Sequence, residues 1–348
     1  MLLSVGTTAH DQRMDVAAVR AAITRRTMAV VACAPCFSHG VVDPITELGA
    51  LCAQRGVGLH VDNCFGGFLL SFLNDIGACA RAFDFAVAGV TSISCDLHKY
   101  GMATKGNSVI VYRSPALRQH QFTAVADWSG GLFASPTMAG MALSFLWPMH
   151  TARLHNHPHY LSSMLHHSHP RSTLPLLLPA MPGSRPGGLI ASAWATLVAT
   201  GADGYRANAA VIARHFDLLR TELSQTAGIQ IVGQPDCGMI AFTTCASGTE
   251  AAVDIFAVAD ALAEIGAWEI GRLQNPKALQ FPIGLRQNEA VVRAFVADLR
   301  AALAAVRADP KRYAKGMAAI YGGAVAMPNR GTVRELLLNY VDALYRAE

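Results

Sequence analysis

Residues 28–62, MAVVACAPCFSHGVVDPITELGALCAQRGVGLHVD, decide the fold. The run at 28–33 is short, apolar and rich in β-branched side chains, which is typical of a buried strand. Asp43 and Pro44 then combine a helix-capping side chain with a proline suited to the first helical position, and so open a helix. A second short strand follows at 58–62. This strand-helix-strand order predicts two parallel strands, joined by a right-handed crossover, in a sheet covered by helices.

Further helix and strand signals extend the pattern on both sides. Predicted helices lie at 14–26, 189–200, 205–223, 250–265, 289–305 and 332–345, and predicted strands at 90–95, 108–112, 229–232 and 239–244. The strands before the long helical region belong with the parallel sheet, whereas the later elements form a second α+β block. A boundary near residues 226–228 therefore divides the chain into a large domain at 1–226 and a small C-terminal domain at 227–348.

Composition excludes several classes of protein. The chain has 348 residues, of which 52% are hydrophobic and 15% charged, so it can bury a large core and is not a disordered protein. The net charge of +4 comes without any run of Lys or Arg, which argues against nucleic acid and against a polybasic membrane surface. The apolar stretches at 174–181 and 189–200 are shorter than the roughly 20 residues that cross a bilayer, and no signal-peptide pattern opens the chain. We therefore expect a cytoplasmic chain.

Cysteine and histidine do not predict a metal site. Eight Cys in a chain of this length form no disulfide framework, and Cys33-Ala-Pro-Cys36 is a lone C-x-x-C pair, which favours small buried side chains over a zinc or redox role. Residues 141–182 hold seven of the thirteen His, irregularly spaced, with no Cys or carboxylate to complete a ligand set. The same residues show no sustained period, so we expect a disordered surface insertion there.

Two residues at predicted strand ends have the character of chemical groups. Asp62 is the last residue of the strand at 58–62, at the edge where open parallel sheets bind their ligands, although an aspartate there also suits a plain turn. Lys99 follows the strand at 90–95 and lies between His98 and Tyr100. A lysine in such a setting is expected to be buried, which lowers its pKa and makes its amine a nucleophile suited to Schiff-base formation.

Both residues stand in longer motifs. Asp62 lies in HVDNCFGGF at 60–68, and Lys99 lies in SISCDLHKYG at 92–101, which is followed by Lys105-Gly106. Further motifs are FSHGVVDP at 37–44, WSGG at 128–131, ASPT at 134–137, GSRPGG at 183–188 and GMAAIYG at 316–322. Together they resemble the group II pyridoxal-phosphate-dependent decarboxylase family. The HKYG sequence with Lys105 and the GSRPGG sequence resemble, within that family, the sphingosine phosphate lyases.

The resemblance implies an α/β chain of the type I, aspartate-aminotransferase-like fold, with pyridoxal phosphate as cofactor and a homodimer whose active sites lie at the subunit interface. It also implies an incomplete large domain. The family's upstream phosphate-cradling Gly-Gly-Thr-Glu-Ser turn has no counterpart in this sequence, so the chain is expected to be N-terminally shortened. Relatives anchored by an N-terminal span make the endoplasmic reticulum membrane an alternative location.

The resemblance assigns roles around the cofactor to four residues. Lys99 would form the Schiff base, and Asp62 would pair with the pyridine nitrogen and keep it protonated, so that the ring can take up electrons from a breaking bond. His98 and Asp96 would lie near the cofactor phosphate.

Four more residues receive roles with alternatives open. His39 would accept a proton from the substrate hydroxyl, or is a structural loop histidine. Lys105 would contact a phosphate or transfer a proton, or is a plain turn lysine. Ser184 and Arg185 would bind the phosphate, or cap the helix that follows them.

The implied reaction is a retro-aldol cleavage. A phosphorylated long-chain base such as sphingosine phosphate would lose its C3 hydroxyl proton and break at C2–C3, giving a long-chain aldehyde and phosphoethanolamine. Two alternatives remain at this point. One is a pyridoxal-phosphate amino-acid decarboxylase, and the other is a catalytically impaired fragment or paralogue that lacks the phosphate-binding turn.

Overall fold

The first sheet contains four strands in the order β1-β2-β3-β4. They are β1 (Ala29–Cys33), β2 (Gly58–Asp62), β3 (Val90–Asp96) and β4 (Ser108–Tyr112). The first three are parallel, and β4 pairs antiparallel with β3. The structure, a computed structural model, describes residues 5–8, 10–127, 129, 131–135, 187–313, 317–327 and 329–344.

Only some of the helices around this sheet begin at a capping side chain. In α1 (Val16–Ala22), the N-cap Asp15 accepts hydrogen bonds from two backbone N–H groups of the first turn. The crossover helix α2 (Ile45–Arg55) ends at Gly56, whose φ of 64° is a left-handed conformation open to glycine without strain. The shorter elements are α3 (Leu70–Asp75), α4 (Pro115–Gln119), β5 (Thr123–Val125) and β6 (Phe133–Ser135).

The second sheet is antiparallel, in the order β7-β8-β10-β9. Its strands are β7 (Ile229–Ile231), β8 (Met239–Thr244), β9 (Gly271–Gln274) and β10 (Lys277–Pro282). The long helix α5 (Gly187–Ser224) precedes it and is kinked at Gly201, where φ is 61° and ψ is 172°. Four further helices follow: α6 (Ile255–Gly266), α7 (Glu289–Ala308), α8 (Met317–Ala326) and α9 (Arg330–Leu344).

One apolar core joins the two sheets. Leu59 and Val61 of β2 belong to the same buried cluster as Phe242 of β8 and Phe295 of α7, and all four side chains are fully buried. This shared core holds the two sheets together. Its contribution to stability is large, since truncating one buried Phe costs about 3–5 kcal/mol.

The predicted α/β architecture is confirmed, and so are the predicted helices 189–200 and 205–223, which meet within α5 at Gly201, where the backbone is not helical. Other elements differ from expectation. The hairpin β9–β10 has no counterpart among the predicted elements, because its first strand is short and shows no apolar alternation. The helix predicted at 250–265 begins only at Ile255, where Asp254 provides the N-cap.

Two other expectations remain predictions. The predicted domain boundary near 226–228 falls between α5 and β7 and stays a prediction, and the predicted insertion at 141–182 lies outside the described residues. Within the described part of the chain, no helix has the length and apolar character needed to cross a membrane. The cytoplasmic location therefore also stays a prediction.

Candidate active site

The carboxyl ends of three parallel strands lie side by side at one edge of the first sheet. Cys33 at the end of β1 is in register with Asp62 at the end of β2, and Asp62 is in register with Ser94 in β3. Parallel strands in register bring residues distant in sequence to one place, which is where open sheets bind ligands. The predicted chemical residues Asp62 and Lys99 both emerge at this edge.

Asp62 is held as a carboxylate. Its Oδ1 accepts hydrogen bonds from the Cys64 backbone N–H at 3.0 Å and from the Ser94 hydroxyl at 3.2 Å. Burial opposes ionisation, but these bonds, a further one from the Cys64 thiol and the nearby His60 ring outweigh it, so the pKa of Asp62 lies below its ordinary value. The side chain is half-buried and negatively charged at neutral pH.

His60 stabilises this arrangement from inside the sheet. Its Nδ1 lies 2.8 Å from the Ser92 hydroxyl, and its Nε2 lies 3.2 Å from the Ser94 hydroxyl that also donates to Asp62. Burial lowers the pKa of His60, although the Asp62 carboxylate opposes the shift. The ring is therefore neutral at pH 7 and orients the two hydroxyls.

Lys99 lies in the loop between β3 and β4, and its ammonium group has two partners. Its Nζ lies 3.0 Å from Asp96 Oδ2 and 3.1 Å from Cys64 Sγ. Burial alone would lower the pKa of Lys99, but these two hydrogen bonds and the nearby charges raise it above its ordinary value. The expectation that burial lowers this pKa is thus wrong for the structure, because the ion pair with Asp96 outweighs desolvation.

Asp96 and His98 continue the same polar group. Asp96 Oδ1 accepts a hydrogen bond from the Ser108 hydroxyl at 2.6 Å, and its Oδ2 lies 3.6 Å from His98 Nε2. His98 Nδ1 lies 2.7 Å from the Asn107 carbonyl oxygen, which can only accept, so the proton of the ring is on Nδ1. Asp96, His98 and Lys99 are therefore one connected cluster, as the sequence predicted for residues at a common site.

His39 lies in the neighbouring turn after β1. It is 8% exposed, and its Nε2 has no hydrogen-bond partner among the described residues. The ring is one of the groups that lower the pKa of Cys36 in the same turn. Gly40 follows with φ of 70°, and a Cβ at this position would lie 2.0 Å from the Met239 carbonyl oxygen, so the turn packs backbone to backbone against β8.

The structure does not place the other three predicted residues in the cluster: one lies apart from it, and two fall outside the described residues. Lys105 is exposed in the loop between β3 and β4, and the proposed phosphate ligands Ser184 and Arg185 lie outside the described residues. Their roles stay predictions.

Cys64 and Tyr100 were missed as site residues, although both lie within the motifs. The Cys64 thiol contacts both Asp62 and Lys99 and so connects the two. The Tyr100 hydroxyl lies within hydrogen-bond distance of the Gly238 carbonyl oxygen, just before β8, and of the Ile283 carbonyl oxygen, just after β10. Their adjacency to Asp62 and Lys99 in the sequence was the available signal.

A cavity of about 500 Å³ opens beside Lys99. Its walls are mostly apolar, with Arg286 at one side; lining residues include Phe65, Phe68, Tyr100, Met102, Ile212 and Leu285. An amine beside an apolar cavity with one guanidinium suits a ligand that has both an apolar part and an anionic group.

Comparison with known proteins agrees with this geometry. Residues 7–128 match the model described as the pyridoxal-dependent decarboxylase conserved domain. The resemblance to this family is confirmed. Among curated relatives, the sphingosine-1-phosphate lyase of Arabidopsis thaliana is 39% identical over 96% of this chain and 52% of its own length. The Saccharomyces cerevisiae sphingosine-1-phosphate lyase is 31% identical over 96% of this chain and 49% of its own length.

Solved structures of the pyridoxal-dependent decarboxylase family share the fold. A sphingosine-1-phosphate lyase from Burkholderia pseudomallei superposes with a TM-score of 0.74 at 27% identity, covering 99% of this chain and 63% of that one. Lactobacillus brevis glutamate decarboxylase, at 16% identity and a TM-score of 0.60, shows the fold alone. The type I fold is thereby confirmed, and the chain spans about half the length of the curated relatives it matches.

The site fits pyridoxal phosphate, the cofactor of the pyridoxal-dependent decarboxylase family. The ionised Asp62 is an anion of the kind that a protonated pyridine nitrogen would need, and Lys99 has an amine of the kind that would react with the cofactor aldehyde. The Cys64 thiol, in contact with both, places the two groups on one side of the sheet edge. Asp62 and Lys99 are thus the residues of this chain that would hold the cofactor ring.

Proposed function

We propose that the chain belongs to a carbon–carbon lyase that cleaves a phosphorylated long-chain base, of the sphingosine phosphate type, into a long-chain aldehyde and phosphoethanolamine. The observation that carries this proposal is the Lys99 ammonium, paired with Asp96, on the wall of an apolar cavity. Curated relatives that are 31–39% identical over about the whole of this chain are named sphingosine-1-phosphate lyases, which favours this reaction over amino-acid decarboxylation.

The bound cofactor would supply an electron sink for the pair released from the C2–C3 bond. Asp62 would keep that sink effective, because a carboxylate with a lowered pKa holds a proton on the pyridine nitrogen. The side chain is oriented for this role by the Cys64 amide and the Ser94 hydroxyl.

Proton transfer would fall to two residues of this chain. His39 Nε2, which has no partner among the described residues, would accept the proton of the substrate C3 hydroxyl. Lys99 would return a proton at C2, and its raised pKa keeps that proton in place until the carbon–carbon bond has broken. One proton leaves the hydroxyl and one is added at C2, so the reaction needs neither water nor an oxidant.

The remaining assigned residues would lie near or contact phosphate groups. His98, fixed through Nδ1 on the Asn107 carbonyl, and Asp96 would order the loop beside the cofactor phosphate. Lys105 has an exposed amine free to reach a phosphate, and Ser184 and Arg185 would contribute further contacts. We also propose that the chain acts as a homodimer.

The test begins with the cofactor. The purified chain is incubated with pyridoxal phosphate, freed of excess, reduced with borohydride and mapped by peptide mass spectrometry. We expect one pyridoxyl group on Lys99, none in Lys99→Ala, and full labelling in the control Lys311→Ala, which alters an exposed lysine of the second block.

Product analysis then decides the reaction. Phosphorylated long-chain base should yield aldehyde and phosphoethanolamine, whereas aromatic and acidic amino acids should yield no amine. Release of carbon dioxide from an amino acid would support the decarboxylase instead, and a chain that fails to label Lys99 at all would be the impaired fragment.

A further inference from the structure

Four polar side chains share one face of β2 and β3. Along β2, His60 and Asp62 alternate with fully buried apolar side chains that face the core. In β3, Ser92 is in register with His60, and Ser94 is in register with Asp62. Strands of a parallel sheet usually carry apolar side chains on both faces, so packing alone does not account for this polar face.

Hydrogen bonds connect these four side chains in one line. The Ser92 hydroxyl lies 2.8 Å from His60 Nδ1, and His60 Nε2 lies 3.2 Å from the Ser94 hydroxyl. The Ser94 hydroxyl in turn donates to Asp62 Oδ1 at 3.2 Å. The line therefore begins at Ser92, passes through both ring nitrogens of His60 and ends on the carboxylate at the strand end.

The carboxylate sets the direction of these hydrogen bonds. An ionised Asp62 can only accept, so the one proton of the Ser94 hydroxyl is directed to it. The contact between the Ser94 oxygen and His60 Nε2 then requires a proton on Nε2. Burial lowers the pKa of His60 and keeps its ring neutral, so Nδ1 has no proton and accepts from the Ser92 hydroxyl. Every donor in the line thus points towards Asp62.

Two nearby groups show that this arrangement is specific. His98 also has a half-buried ring, but its Nδ1 contacts the Asn107 carbonyl oxygen, so His98 has the opposite tautomer. Thr91 is a third hydroxyl residue of β3, but it donates to the Leu59 carbonyl oxygen at 2.9 Å. A hydroxyl on this strand therefore does not by itself reach the site, whereas the Ser94 hydroxyl does.

We propose that His60 is a positioning residue for the reaction, acting on Asp62 through the Ser94 hydroxyl. The Nε2–H group of His60 engages the Ser94 oxygen, so that the hydroxyl proton is left to Asp62 Oδ1. Ser92 selects the ring tautomer that makes this possible. Together with the Cys64 backbone N–H, which donates to the same oxygen at 3.0 Å, Ser94 fixes the orientation of the carboxylate. This inference rests on the role proposed for Asp62 in the lyase reaction.

The tautomer is tested first, on the full chain without cofactor. The chain is prepared with isotope-labelled histidine, and the His60 signals are assigned by their absence in His60→Phe. Proton–nitrogen correlation spectra, recorded well above the ordinary histidine pKa of about 6.5, show which ring nitrogen holds the proton. We expect it on Nε2 in His60 and on Nδ1 in His98. A proton on Nδ1 of His60 overturns the proposal, because Ser94 would then donate to the ring instead of to Asp62.

The carboxyl group of Asp62 is the second readout. Its pKa is followed by carbon NMR of the chain labelled in aspartate, again without cofactor. Ser94→Ala removes a donor to the ionised form, so the pKa of Asp62 should rise by about half a pH unit or more. Ser94→Thr keeps the hydroxyl and should restore the parent value.

Thr91→Val is the matched control for this readout. It removes a hydroxyl of the same strand that bonds to the Leu59 carbonyl oxygen, so the pKa of Asp62 should not change. An equal rise in Thr91→Val and Ser94→Ala, or no rise in Ser94→Ala, overturns the proposal.

Turnover then shows whether His60 acts through Asp62. With phosphorylated long-chain base, His60→Phe and Ser94→Ala should each lower kcat by about 10-fold with little change in KM, the lower end of the loss found on removing hydrogen-bond partners of metal ligands. In the Asp62→Asn background the same substitutions should cause no further loss, because the charge that they orient has gone. Full additivity overturns the proposal. If the parent chain does not cleave this substrate, the proposed function fails, and the two NMR readouts still decide the proposal about His60.

Discussion

The pKa values of two carboxylates at the same sheet edge are shifted in opposite directions. The two residues are Asp43, in the turn after β1, and Asp62, at the end of β2. Asp43 is buried and accepts from two backbone N–H groups, those of Met14 and Cys33, each at 2.8 Å. Burial outweighs those bonds and raises the pKa of Asp43, whereas side-chain donors and His60 hold the pKa of Asp62 down. Position near a strand end therefore does not decide the direction of a carboxylate's pKa shift, which depends on the balance between burial and the donors and charges around it.

The largest expected effect that separates the two carboxylates is on turnover. In Asp62→Asn the amide has no charge to hold a proton on the pyridine nitrogen, so cleavage of the phosphorylated long-chain base should fall by about 100-fold or more. Labelling of Lys99 by borohydride reduction should persist, since Lys99 keeps Asp96 as its partner. Undiminished turnover in this variant would contradict the role given to Asp62.

Asp43→Asn should act on stability instead. One side-chain oxygen is replaced by an NH₂ group that faces a backbone N–H donor, so one hydrogen bond is lost and two donors oppose each other. We expect the free energy of unfolding to fall by about 1–3 kcal/mol, measured by urea denaturation. The pattern of labelling at Lys99 should remain unchanged, and its loss would mean that Asp43 also shapes the site.

Tyr100→Phe tests whether the lysine loop depends on the second sheet. The variant removes the hydroxyl that reaches the Gly238 and Ile283 carbonyl oxygens, but keeps the ring against Phe65. The free energy of unfolding should fall by about 1 kcal/mol. Lys99 should also label more slowly, because its loop is less well positioned; unaltered labelling would confine Tyr100 to stability.

The smallest expected difference is in the pH dependence of unfolding. The folded pKa of Asp62 is lowered, so its contribution is present above its unfolded pKa of about 3.9 and is lost as the pH falls through the folded value. The folded pKa of Asp43 is raised, so its contribution to the free energy of unfolding changes with pH in the opposite direction. That contribution decreases as the pH rises from the unfolded to the folded pKa.

Stability curves measured across acidic pH check this difference. Below about pH 4, Asp62→Asn should lose stability on acidification less steeply than the parent chain. Asp43→Asn should show a steeper gain of stability with rising pH than the parent. Parallel curves for all three proteins would contradict the opposite shifts.

Local sequence was sufficient for the elements that carry the site. The β-branched run before Cys33 predicted β1, and β1 and β2 pair in parallel as expected. Asp43-Pro44 marked the start of α2, but the prediction that Asp43 caps this helix is wrong, because Pro44 is at the N-cap and the Asp43 carboxylate accepts from the Met14 and Cys33 backbone N–H groups instead. Asp62 and Lys99 could be placed at strand ends from the same kind of strand signal, although their roles stay predictions.

The rest depends on contacts between distant residues. The pKa of Lys99 was predicted in the wrong direction because its sequence neighbours do not reveal that Asp96 and Cys64 both contact the ammonium. The hairpin β9–β10 is stabilised by pairing with β8, which no local pattern of residues 271–282 shows.

The two adjoining residues Gly238 and Met239 contact both loops that carry the candidate chemistry. The Met239 carbonyl oxygen lies against Gly40 beside His39, and the Gly238 carbonyl oxygen accepts from Tyr100 beside Lys99. A displacement of these two residues would therefore move both loops together. The His39 turn and the lysine loop, 60 residues apart in the chain, should accordingly open to solvent as one cooperative unit, with their amide hydrogens exchanging at a common rate.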